Sequence, residues 1–188
     1  MNDLNTILTL NSALLIIDMI NSFEFQHGHQ LAKKAEEITP NIMRLKRYFK
    51  KHKLPVIYIN DFYQLTYKNR NDIIQYCMNP ISKNIINKLY PSDDDYFIPK
   101  PNYSGFFQTS LQQLLVSLST DQLILTGIAG NRCVLFTAND AFMYKHKLFI
   151  PNDTITSITD EDHQLSLKFF KDVLQASTEP FSDISNKI

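Results

Sequence analysis

Five consecutive apolar residues, Ala13-Leu14-Leu15-Ile16-Ile17, run without interruption into Asp18. A half-exposed strand would alternate polar and apolar side chains, and an amphipathic helix would break such a run every third or fourth position. The unbroken pattern therefore reads as a strand buried on both faces of a parallel sheet, with Asp18 at its C-terminal end. Parallel neighbours need long crossovers, and the sequence supplies them. Ile38, Ile42, Leu45 and Phe49 recur at helical spacing between Leu31 and Lys53, after which Pro55-Val56-Ile57-Tyr58-Ile59-Asn60 forms a second buried strand.

Tyr96-Phe97-Ile98, stopping before Pro99, reads as a short third strand, Gln122 to Gly127 as a fourth and Lys147-Leu148-Phe149-Ile150 as a fifth. Ser110 is placed to cap a helix carrying Leu111, Leu114, Leu115 and Leu118. A further helix starts near Cys133 and runs through Phe142, and Thr159 or Asp160 caps a last one through Leu165, Phe169 and Val173. Alternating strands and helices specify a doubly wound α/β domain with right-handed crossovers, whose ligands sit beyond the C-terminal ends of the strands. The segment from Asp61 to Pro91 shows no clear period and reads as a long excursion over that edge, a candidate lid or oligomer contact.

The 188 residues suit one domain, 1–188, with its core from about 13 to 175. Nineteen basic and nineteen acidic side chains cancel, so no global field collects nucleic acid or an acidic membrane surface. The basic cluster Lys46-Arg47-Tyr48-Phe49-Lys50-Lys51 reads as a solvated helix face. No apolar run reaches the ~18 residues of a membrane span, and Asp3 stands where a secretory signal carries positive charge. The expectation is a cytoplasmic protein with no nucleic-acid or membrane partner, no cofactor, and Cys77 and Cys133 as free thiols. Only four glycines occur, none in a phosphate-cradling pattern after the first strand, which speaks against nucleotide binding.

Three polar residues stand at strand ends: Asp18 after the first, Lys100 just past the third, and Cys133 in the turn beyond the fourth. Taken singly, each has a structural explanation, as a turn residue, a loop charge and a small buried thiol. Together they have a chemical one. A thiol attacks as thiolate, and both a neighbouring cation such as Lys100 and the N-terminal end of a helix lower its pKa. Asp18 can take the thiol proton and pass it to a leaving group, or hold the lysine ammonium in place.

Leu14-Leu15-Ile16-Ile17-Asp18-Met19, Ile98-Pro99-Lys100 and Thr126-Gly127-Ile128-Ala129-Gly130-Asn131-Arg132-Cys133-Val134 resemble, in order and spacing, the three signature blocks of isochorismatase-like cysteine hydrolases. The resemblance covers roughly Ala13 to Gln175. It implies a three-layer α/β/α fold around a six-stranded, mostly parallel sheet and a catalytic triad of Asp18, Lys100 and Cys133. It also implies a non-proline cis peptide at Ile128-Ala129, turning the Ala129 N–H toward the same point as the Cys133 N–H to form an oxyanion hole. The implied chemistry is hydrolysis of a C–N bond in a small amide-like substrate through a thioester. Relatives commonly form dimers or higher oligomers, so a homo-oligomer is implied as well.

The chain also departs from some relatives. Nicotinamidases of this superfamily carry a metal site built on an Asp-x-His pattern after the second strand and a further His. Here the stretch is Asn60-Asp61-Phe62-Tyr63-Gln64, with no His between His52 and His146, which points to a metal-free branch. His27 and His29 lack a third ligand and read as a solvated loop. Gly130 stands where the family often has Thr, and Arg132 directly precedes the cysteine. Its guanidinium either recognises a substrate carboxylate, stabilises the thiolate or simply points outward. Phe23, Phe62, Tyr67, Tyr103, Phe106 and Phe107 fall near the expected mouth of the site, with Asn60 as a polar anchor. Two other readings stay open: a relative acting on a non-amide substrate, as isochorismatases proper cleave an enol ether, and a catalytically silent binding or scaffold protein.

Overall fold

The computed structural model describes residues 11–63 and 69–181. Its sheet holds β1 (Ser12–Ile17), β2 (Val56–Asp61), β3 (Tyr96–Lys100), β4 (Gln122–Ile128) and β5 (Lys147–Phe149) in the order β3-β2-β1-β4-β5, with a two-residue β6 (Ile155–Thr156) pairing with β4 beyond β5. Every pairing is parallel. All six residues of β1 are buried, because this strand lies between β2 and β4 and is covered on both faces.

Alternate residues of β1 serve two separate cores. Leu14 and Ile16 pack with Tyr58 and Ile124 beneath helix α1 (Gly28–Lys51) and the short helices α2 (Arg70–Cys77) and α3 (Lys83–Lys88). Ala13, Leu15 and Ile17 pack on the other face with Ile57, Ile59 and Leu125 against α4 (Leu111–Ser117), α5 (Leu135–Met143) and α6 (Asp160–Asp172). Each fully buried Leu or Ile contributes about 2 kcal/mol. Three layers and two cores follow from one apolar run with a side-chain period of two.

Several boundaries differ from the sequence reading, each for a local reason. Helix α1 begins at Gly28, after His27 in a left-handed conformation (φ 66°), and stops at Lys51 as Lys53 turns left-handed (φ 56°). Strand β3 runs through Pro99 to Lys100: β3 is an edge strand, so the missing N–H of proline removes no ladder bond to a second neighbour. Ser110 precedes α4 without a side-chain cap; Thr109 Oγ1 instead accepts the Leu111 N–H at 3.2 Å. Thr159 does cap α6, accepting from the Asp162 N–H at 3.1 Å. The excursion after β2, without a period in sequence, contains α2 and α3, whose Ile73, Ile74, Ile85 and Ile86 are core residues. The basic cluster on α1 is not simply solvated. Lys46 and Lys50 both pair with Asp95, at 2.7 and 2.9 Å, and the Asp95 side chain is wholly buried. No helix among the described residues is long and apolar enough to cross a membrane.

Candidate active site

The C-terminal ends of β1, β2, β3 and β4 converge on one cavity of about 220 Å³, small enough to select a small molecule. The chain leaves β1 with Asp18 in a left-handed conformation (φ 51°), which aspartate tolerates better than a branched residue. The Asp18 N–H still bonds Ile59 O at 2.9 Å, and Asp18 Oδ1 accepts the Asp61 N–H at 2.9 Å. The carboxylate is thereby fixed by the end of the neighbouring strand.

Lys100 arrives from the sheet edge. Residue 100 pairs in register with Asp61, so the lysine side chain crosses the end of β2 to reach β1. Its Nζ lies 2.8 Å from Asp18 Oδ2 and 3.4 Å from Cys133 Sγ. Lys100 is only 1% exposed. Burial works against its ammonium, but Asp18, Cys133 and Asp61 outweigh that cost and hold its pKa above the ordinary lysine value.

Cys133 sits in a wide turn rather than in the first turn of an α-helix. Residues Gly130–Val134 form a π-helical turn in which the Val134 N–H reaches back to Ala129 O at 3.2 Å, and α5 follows at Leu135. The peptide Ile128-Ala129 is cis, and Gly127 before it has φ 108°. A Cβ on Gly127 would stand 2.0 Å from Ile17 O, so only glycine lets β4 lie against β1 at this point. Ala129 and Cys133 line the same cavity wall.

The thiol differs from the sequence expectation. Burial and the adjacent Asp18 carboxylate push the Cys133 pKa well above the usual cysteine range, and the Lys100 ammonium offsets this only in part. The Lys100 ammonium, 3.4 Å from Sγ, is the group that favours the anionic sulfur. Cys77, by contrast, is fully buried, with its Sγ on Ile20 O at 3.4 Å, and burial pushes its thiol up to about 12.

Asp18, Lys100 and Cys133 thus meet as one cluster, and Tyr103 and Arg132 reach the cavity wall. Other residues expected at the mouth are elsewhere. Phe23 is wholly buried in the core beneath α1, and Phe106 is buried against Tyr144 in the other core. Phe62 packs against the first core from a half-buried position, and Phe107 is an exposed surface ring. Asn60 is closed off, because its side chain bonds both Ile20 N–H (3.3 Å) and Ile20 O (2.6 Å) and so pins the turn after β1. Tyr67 lies outside the described residues.

The cavity instead takes Asn21, Phe25, Leu31, Asp61, Tyr63 and Ile158. Asp61 could have been found from sequence, since it ends β2 as Asp18 follows β1. Tyr63 takes the wall place expected for Phe62, and its hydroxyl donates to Ile20 O at 3.2 Å. Phe25, Leu31 and Ile158 come from loop and helix positions that strand-end reasoning does not reach.

Residues 12–179 match the isochorismatase domain family. The chain is 49% identical over 166 residues to the isochorismatase family protein YaaI of Bacillus subtilis (strain 168), covering 88% of this chain and 92% of that one. Its fold is similar to N-carbamoylsarcosine amidase from Thermoplasma acidophilum (TM-score 0.70, 24% identity, 91% of this chain and 96% of that one). It is equally similar to the nicotinamidase SaPncA from Staphylococcus aureus (TM-score 0.70, 24% identity, 90% and 97%).

Proposed function

The chain belongs to the isochorismatase family of hydrolases, and from that premise we propose that it cleaves the C–N bond of a small amide-like substrate with Cys133 as nucleophile. The observation that carries this reading is the position of Lys100 Nζ, 2.8 Å from Asp18 Oδ2 and 3.4 Å from Cys133 Sγ, two residues that line a small cavity. A base, a cation and a thiol in mutual contact are the parts acyl transfer needs.

The direction of the thiol's pKa, raised by burial and Asp18, fits proton transfer in step with attack. Asp18 takes the thiol proton as sulfur attacks the carbonyl carbon, so no free thiolate accumulates in the resting site. Lys100 stabilises the sulfur as it becomes anionic, and the backbone N–H groups of Ala129 and Cys133 receive the carbonyl oxygen as it becomes an oxyanion. As the C–N bond breaks, Asp18 returns the proton to the nitrogen and ammonia or an amine leaves. Water then attacks the thioester, giving one proton to Asp18. The C–S bond breaks, the thiol regains that proton, and the acid is released. The net reaction is amide plus water to acid plus amine.

The fold similarity to an amidase supports the amide class, and the missing Asp-x-His pattern argues against nicotinamide as the substrate. A panel of small primary amides, imides and ureido compounds, read by ammonia release, tests the reading. Turnover of at least one compound that depends on both Asp18 and Cys133 is expected. Hydrolysis confined to an enol ether and insensitive to Cys133 would replace it with the non-amide alternative.

A further inference from the structure

Arg132 is an exposed side chain on the cavity wall, next to the thiol. Among the described residues its guanidinium has no carboxylate partner. The other cation of the site, Lys100, is committed to Asp18 and Cys133 and almost wholly buried. Arg132 is therefore the one positive charge that the described cavity wall offers to an incoming molecule.

Its place in the sheet gives the charge a direction. Asp61 ends β2, Asp18 follows β1, and Arg132 lies in the turn after β4, in the spatial order β2-β1-β4. Two strand spacings separate the Asp61 side from the Arg132 side, roughly 10 Å. At one end of the cavity Asp61 adds a carboxylate beside the Asp18–Lys100 pair, at the other stands the Arg132 guanidinium, without a carboxylate partner among the described residues, and Phe25, Leu31 and Ile158 are apolar walls. An anion is repelled at the first end and finds a two-pronged donor at the second. An amide nitrogen with its N–H groups suits the acidic end.

We propose that the substrate is a short carboxylated amide, with its carboxylate held by Arg132 and its scissile carbonyl over Cys133. This rests on the amide-hydrolase reading and names the substrate class for it. The carboxylate fixes the molecule across the cavity, so that its carbonyl, rather than its acid group, faces the thiol.

Titration calorimetry on a Cys133→Ala protein measures binding without turnover. The probes are matched pairs: malonamate against propanamide, succinamate against butanamide, and glutaramate against pentanamide. In at least one pair the carboxylated amide is expected to bind at least tenfold more tightly, with the preference shrinking as salt is raised. Arg132→Gln on the same background should bring that ratio to about one, while Arg132→Lys should keep part of it. Equal or undetectable binding of both members in all three pairs would overturn the proposal, as would a preference that survives Arg132→Gln. Ammonia release by the native protein separates the two claims. An Arg132-dependent preference without turnover of any amide would leave the carboxylate site standing and sink the hydrolase reading, and turnover without preference would do the reverse.

Discussion

Lys100 Nζ lies 2.8 Å from Asp18 Oδ2 although β2 separates their two strands. A lysine on the edge strand is long enough to cross the end of β2, and by doing so it ties the sheet edge to the central strand at the site itself. Both side chains are nearly sealed from water, at 1% and 7% exposure. Such a pair contributes little compared with well-packed apolar groups, but breaking it from one side leaves a charge buried without compensation.

Lys100→Met should therefore lower stability by about 3–5 kcal/mol in urea unfolding, and adding Asp18→Asn should recover much of the loss. The pH dependence has a definite sign. The folded-state pKa of Lys100 is raised above the ordinary 10.5, so its contribution is complete below that value and fades only as pH climbs through the folded-state value. The difference between the native protein and Lys100→Met should be flat through neutral pH and narrow only at strongly alkaline pH. A loss under about 1 kcal/mol would contradict the buried pairing.

Iodoacetamide should modify Cys133 much faster than Cys77, because Cys133 lines the open cavity while Cys77 is fully buried and out of the reagent's reach. Since burial and Asp18 hold the Cys133 thiol high, its alkylation rate should keep rising from pH 6 to 9 without a plateau. Asp18→Asn removes the neighbouring anion, so alkylation should speed up at fixed pH while amide turnover falls by about 10²–10⁴. Alkylation that levels off below pH 7 would show a preformed thiolate instead.

Gly127→Ala should cost on the order of 4 kcal/mol or prevent folding, because the new Cβ overlaps Ile17 O at 2.0 Å and the backbone is left-handed at φ 108°. A thermal midpoint within a few degrees of the native protein would mean that β1 and β4 separate more easily than their register implies.

Asp95→Ala, far from the cavity, should destabilise by about 3 kcal/mol. It leaves Lys46 and Lys50 beside a buried site without their shared carboxylate, and Ser92 N–H without its acceptor at 2.7 Å. Catalytic constants of the folded fraction should hold, and a matching fall in kcat would tie this network to the site.

The layers of the fold were legible because they rest on local pattern. The apolar run ending at Asp18, the 3.6 period of α1 and the Thr159 cap each announce themselves within a few residues. Asp18, Lys100 and Cys133 were legible as strand-end residues of a parallel sheet. What the sequence could not convey depends on contacts distant in the chain. Asn60 looks like a pocket anchor until its amide is seen closed on Ile20, and Phe23 looks available until α1 covers it. The thiol environment was legible only in part, because a sequence locates the nearby lysine but cannot weigh it against burial and the Asp18 carboxylate. The link from Lys46 and Lys50 to Asp95 joins residues 49 and 45 positions apart, beyond the reach of any helical-face argument.

The nucleophilic role of Cys133 is tested most directly by acid-quenching the protein during turnover of an amide it hydrolyses and weighing the Cys133 peptide. An adduct with the mass of the substrate acyl group on Cys133 is expected, absent from Cys133→Ala, whose turnover should fall to background. Undiminished turnover by Cys133→Ala, with no acyl adduct on the native protein, would contradict it.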